Sequence, residues 1–120
     1  MGKKAARIYL GTSGYQYEDW RGPVYPVDLP KTRWLAHYAT RFPAVELNFS
    51  FYRMPSARQL ERMLERSEGR LRFAVKLHRS LTHERGQDPR AAARAFREAL
   101  TPLREAGVLA PVLVQFPYSF

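Results

Sequence analysis

The chain has 120 residues, of which 45% are hydrophobic and 26% charged, enough for one domain with a core of its own. No apolar run approaches the roughly 20 residues of a membrane-spanning helix. The basic start Met1-Gly2-Lys3-Lys4-Ala5-Ala6-Arg7 leads into no long apolar stretch or cleavage site, so neither a membrane nor a secretory role is expected. The absence of cysteine excludes disulfides and thiolate metal sites and fits a cytoplasmic protein. The net charge of +9 would draw phosphate backbones, but no compact basic block or nucleic-acid-reading motif accompanies it.

The first expected strand runs from Arg7 to Thr12. A helix follows over Thr32 to Arg41, with Trp34, Leu35, Tyr38, Ala39 and Phe42 on one stripe and Pro30 near its first turn. The second strand is Ala44 to Asn48, and the second helix opens at Ser56, which forms a capping-box pair with Gln59. Leu60, Met63 and Leu64 form that helix's buried stripe, and Gly69 lies past its end. The third strand is Leu71 to Leu77. The third helix opens at Asp88-Pro89, buries Phe96, Leu100 and Leu103, is interrupted near Pro102 and ends by Gly107. The fourth strand is Pro111 to Phe116. Strands alternating with helices imply an α/β fold with parallel strands and right-handed crossovers. No linker or second domain interrupts residues 1–120.

Side chains alternate along a strand. The apolar sets Ile8 and Leu10, Val45 and Leu47, Phe73, Val75 and Leu77, and Val112 and Val114 are expected to meet helices. The opposite set is Tyr9, Gly11 and Ser13, then Ala44, Glu46 and Asn48, then Ala74, Lys76 and His78, then Leu113 and Gln115. This set turns polar toward the C-terminal end of every strand. Buried polar groups must be paired or wet. One explanation is a structural Glu46–Lys76 ion pair. The other is a ligand site, which the agreement of four strands favours.

The same residues carry a family resemblance. Gly11-Thr12-Ser13-Gly14-Tyr15 with Trp20, the run from Val45 to Pro55, Phe73-Ala74-Val75-Lys76 with Thr82-His83, and Gln115-Phe116-Pro117-Tyr118-Ser119-Phe120 together resemble the signature of the YecE-like family (domain of unknown function 72). Ser50 stands where that family often has Thr, and Tyr118 where it often has Pro. The resemblance implies a TIM-type (β/α)₈ barrel, similar to barrels that process nucleic acid or isomerise sugars, and implies no particular reaction. A whole barrel takes about 250 residues. The chain is therefore expected to be the first half, with four strands and three helices, and to lack the family's later acidic, basic and histidine motifs. Strands one and four would then have open edges. Self-association, docking on a missing C-terminal half or aggregation is expected, and a monodisperse monomer in light scattering would count against it.

Glu46 is a candidate general base, and Lys76 a candidate point charge for a phosphate or carboxylate. A Schiff-base role for Lys76 is disfavoured, because an adjacent glutamate stabilises its charged form. His83 sits in the long connection from His78 to Gln87 and is the third catalytic candidate, against the alternative of an ordinary hydrogen-bonded loop histidine. His37 is expected on a helix away from the site. Substrate-binding candidates are Ser13, Tyr15, Trp20, Asn48, Tyr52 and Gln115, although Trp20 reads more readily as packing among Tyr15, Tyr17 and Tyr25. Phe51 and Tyr52 follow strand two and could close the same pocket. Glu46, His78 and His83, with Asp19 more remote, are the only local ligand types for a metal, and no HExxH-like spacing organises them. No metal site or cofactor is expected. Arg58, Arg62 and Arg66 form a ridge that could meet phosphates but reads as a solvated face partly balanced by Glu61 and Glu65.

Three functions follow. The first is an enzyme, or half of one, acting on a phosphorylated or polyhydroxylated small molecule. The second is a nucleic-acid-binding or nucleic-acid-processing barrel, whose affinity would fall steeply with salt. The third is an inactive truncated fragment.

Overall fold

The computed structural model describes residues 5–84, 86 and 88–119. Met1 to Lys4 of the basic start, Arg85 and Gln87 of the long connection, and Phe120 of the last motif lie outside the described residues. Four strands, β1 (Gly11–Ser13), β2 (Ala44–Leu47), β3 (Arg72–Lys76) and β4 (Leu109–Leu113), form one sheet in the order β1-β2-β3-β4. All its pairings are parallel. The connections carry α1 (Trp34–Arg41), the one-turn α2 (Phe49–Tyr52), α3 (Ala57–Arg66), α4 (Pro89–Ala99) and α5 (Thr101–Glu105). Among the described residues, no helix is long and apolar enough to cross a membrane.

Local chemistry sets the helix ends. Ser56 Oγ accepts from the Gln59 backbone N–H at 3.1 Å, and Asp88 Oδ1 accepts from that of Ala91 at 3.0 Å, each satisfying an orphan donor of the first turn. Pro102 has no N–H to offer the carbonyl four residues back, so α4 stops before it. Leu100 caps both α4 and α5, and Pro102 sits in the first turn of α5, where its ring does no harm.

The helices cover one face of the sheet. Val45, Leu47, Phe73 and Val75 pack there against Trp34, Leu35 and Tyr38 of α1, Leu60 and Met63 of α3, and Phe96, Leu100 and Leu103 from the α4–α5 region. Each such side chain contributes about 1.5–3 kcal/mol by leaving water. Tyr38 also ties β1 to β2. Its hydroxyl donates to the Ala44 carbonyl at 2.7 Å and accepts from the Thr12 N–H at 2.9 Å. Gly11 lets the strands approach, since a Cβ there would lie 2.2 Å from the Ala44 carbonyl oxygen.

Both outer strands differ from the sequence expectation. β1 pairs over three residues only, and Ile8 and Leu10, expected under helices, are 82% and 70% exposed. Thr12, in phase with them, makes the helix-side contact instead. β4 begins two residues early and ends at Leu113. Phe73 pairs with Leu109 but Val75 with Val112, so an extra residue is accommodated around Ala110 and Pro111. Proline cannot donate to a ladder and belongs at such an edge irregularity. Val112 still packs on the core and Leu113 pairs with Lys76, as their alternation requires, while Val114 and Gln115 fall beyond the strand.

Candidate functional site

The register places Ser13 beside Glu46 and Glu46 beside Ala74. Lys76, two residues beyond Ala74, therefore shares the helix-free face with them. Below this row, Gly11, Ala44, Ala74 and Ala110 help line a shallow hollow of about 220 Å³, whose small side chains leave room above the sheet.

Ser13 is the centre of a polar cluster. Its Oγ donates to Glu46 Oε1 at 3.2 Å and accepts from Asn48 Nδ2. The Gly14 N–H donates to the Glu46 carbonyl at 2.8 Å, which holds the end of β1 against β2. The Tyr17 hydroxyl donates to the Ser13 carbonyl and closes the loop over it. Gly14 has φ +79°, and a Cβ there would strike the Tyr17 hydroxyl, so this turn requires glycine.

Lys76 is held separately. No salt bridge joins it to Glu46 among the described residues. The structural Glu46–Lys76 ion pair, the less favoured of the two explanations, is not formed, because the ammonium lies over the Phe51 ring, 4.6 Å from its centroid. The His83 ring meets the same phenyl edge-on at 4.9 Å, and Tyr52 does so at 5.0 Å. Phe51 thus organises Lys76, His83 and Tyr52 around one ring. Its carrier, α2, is pinned by the fully buried Ser50, whose Oγ donates to the Lys76 carbonyl at 2.6 Å. Neither α2 nor the role of Ser50 is legible in the sequence, since one helical turn has no periodicity to detect. The motif run through Ser50 to Tyr52 is the only signal the sequence carries there.

The remaining candidates divide. Tyr15 is half-buried, and its carbonyl accepts from the Tyr25 hydroxyl at 2.6 Å. Burial pushes the Tyr15 hydroxyl pKa up, with the nearby Arg66 charge acting against it. Trp20 packs between Tyr17, Tyr25 and Tyr38 at centroid distances of 4.9, 6.0 and 6.5 Å, which is the packing role. His37 bonds the Val24 carbonyl at 3.0 Å, away from the strand ends. Gln115 is exposed, two residues past the end of β4, the strand at the opposite edge of the sheet from Ser13. His78 caps the turn Arg79–Leu81, its Nδ1 accepting from the Ser80 N–H at 3.2 Å. Burial, and then the Arg79 charge, hold its pKa below the ordinary histidine value. Glu46, His78 and His83 do not converge, and no group of three or more metal-ligating His, Asp or Glu side chains occurs among the described residues.

The arginine ridge is exposed, as a solvated face requires, but among the described residues no acid is in a salt bridge with it. Arg58, Arg62 and Arg66 join Arg53, Tyr15 and Tyr52 around a groove of about 670 Å³. Glu61 instead lines a separate hollow facing α5. Arg53 escapes sequence reasoning because it follows α2 in a connection with no repeat to reveal it.

A family model described as "Protein of unknown function DUF72" matches residues 9–120. The chain is 35% identical over 118 residues to the UPF0759 protein YunF of Bacillus subtilis, an alignment covering 94% of this chain and 41% of that protein. A solved DUF72 family protein from Thermotoga maritima is similar at TM-score 0.77 and 40% identity, over 93% of this chain and 45% of its own. A DUF72 family protein from Enterococcus faecalis shares the fold at TM-score 0.75 and 24% identity, over 95% of this chain and 41% of its own. The chain spans less than half the length of these relatives.

Proposed function

This chain belongs to the DUF72 family of proteins of unknown function, and from that premise we propose that it forms half of a (β/α)₈ barrel domain whose strand ends bind a small phosphorylated or polyhydroxylated ligand. The observation that carries the reading is the hydrogen-bonded trio Ser13, Glu46 and Asn48 on the same helix-free face as Lys76. Barrel enzymes place their sites at the C-terminal ends of parallel strands.

The roles follow from the side chains. Glu46 accepts a ligand hydroxyl and serves as the general base. Lys76 moves from the Phe51 ring to a phosphate or carboxylate, which a flexible stem and a compact charge permit. Ser13 and Asn48 orient the ligand by hydrogen bonds, and His83 and Tyr52 stand at the rim. The half-barrel part is supported by the parallel order and by the two outer strands, beside which Ile8, Leu10, Val114 and Phe116 are exposed. Four further strand–helix units, in the same chain or another, would cover those edges.

The test is calorimetric titration with ribose 5-phosphate and ribose. Binding of the phosphate should weaken about tenfold or more in Lys76→Met, as loss of a charged hydrogen bond implies. Glu46→Gln should weaken both ligands. No binding of either ligand, or equal binding by all variants, rejects the site.

A further inference from the structure

We propose that the groove between the β1 loop, α2 and α3 is a second site, which takes the phosphate groups of an extended oligoanion. It adjoins the strand-end site at Tyr52, but its arginines lie outside that site and it does not depend on that reading. Arg53, Arg58, Arg62 and Arg66 surround it, and no Asp or Glu lines it. Among the described residues, none of these four arginines is in a salt bridge. Of the two acids expected to balance the ridge, Glu61 lines the hollow on the α5 side, and among the described residues neither it nor Glu65 lines the groove or is in a salt bridge.

Like charges four residues apart on a helix repel and destabilise it. Arg58, Arg62 and Arg66 do this twice over in an exposed row. An anion in the groove relieves that repulsion, and a guanidinium fork matches two phosphate oxygens at once. The length of the row selects the ligand. At a rise of 1.5 Å per residue, Arg58 to Arg66 spans about 12 Å along α3, more than a single phosphate reaches. Linked phosphates can meet several of the four arginines together. The Tyr15 and Tyr52 rings give the groove aromatic walls beside its charge. The shared chemistry is a chain of phosphates, whether a free polyphosphate or the phosphodiester backbone of a nucleic-acid single strand.

The experiment titrates the whole chain with tripolyphosphate and with a thymidine dodecanucleotide, at low and moderate salt. It is repeated on Arg62→Gln/Arg66→Gln and on Arg94→Gln/Arg97→Gln, which removes the same charge from exposed positions on α4. The groove variant should lose about tenfold or more in affinity for at least one probe while the α4 variant keeps it. Loss for tripolyphosphate alone assigns free polyphosphate, and loss for the oligonucleotide identifies a phosphodiester backbone, with a log affinity that falls linearly with log salt. Circular dichroism of both variants confirms that they fold. Failure of both probes to bind, or equal losses in the two variants, overturns the proposal. Ribose 5-phosphate binding at the strand ends should be unchanged in the groove variant, so the two sites fail separately.

Discussion

On the helix side of the sheet, Val45, Leu47, Phe73 and Val75 are at most 2% exposed and pack among the apolar side chains of the helices. On the other side, Ser13 is exposed and Glu46, Ala74 and Lys76 are half-buried, above a hollow floored by small residues. The same strands supply both faces, one residue apart. The helix side holds the fold by burial, which needs shape and no polarity. The open side can keep unneutralised polar groups because water, or a ligand, still reaches them. A substitution should therefore act on stability or on binding according to the parity of its position.

Three measurements test this division between the two faces. Phe73→Ala removes a fully buried ring from the helix side and should cost about 3–5 kcal/mol in urea unfolding. A cost below about 1 kcal/mol would mean that this face is not a packed core. Tyr38→Phe keeps the ring and deletes the hydroxyl that bridges Thr12 and Ala44. It should cost about 1–3 kcal/mol, and hydrogen exchange at the Thr12 amide should speed up. An unchanged unfolding midpoint would remove the clasp from the account of β1.

The third is a pH effect at the end of β3. His78 accepts the Ser80 N–H through Nδ1 and is held below its ordinary pKa, chiefly by burial, with the Tyr52 backbone acting the other way. The unfolded chain therefore binds the proton more readily than the folded one. Stability should rise with pH between the depressed folded value and about 6.5, be fully present above that, and fall away as pH drops through the folded value. NMR titration of His78 should give a pKa under 6.5, and His78→Gln should flatten the acid side of the urea profile. A pKa at or above 6.5 would contradict a half-buried ring held neutral by its surroundings.

Much of the centre of the fold is legible in the order of the amino acids. The alternation of Val45 and Leu47 with Glu46, and of Phe73 and Val75 with Lys76, assigns faces correctly because β2 and β3 are paired on both sides. Ser56 and Asp88 mark helix starts because a cap is a contact between near neighbours. The outer strands are less legible. A strand's length depends on its partner, and β1 pairs only where β2 extends, leaving Ile8 and Leu10 uncovered. Of the site, Ser13, Glu46, Asn48 and Lys76 share the expected face, but the attachment of Lys76 to Phe51 depends on α2, which four residues cannot announce. Gln115 keeps the expected parity, two residues after Leu113, but β4 ends at Leu113, so strand pairing does not fix its position.

Which side of each central strand is apolar, where the main helices begin and end, and that the strands run parallel are all written in the order of the amino acids. Each of these is written in a spacing of two to four residues or in a single capping side chain. That Ser13 stands beside Glu46, that Lys76 rests on a phenyl ring rather than on a carboxylate, and that Arg53 joins the row on α3 are set by the folded chain alone. Those pairings join residues with no common period, through backbone hydrogen bonds and packing between distant segments, and such contacts exist only once the chain has closed on itself.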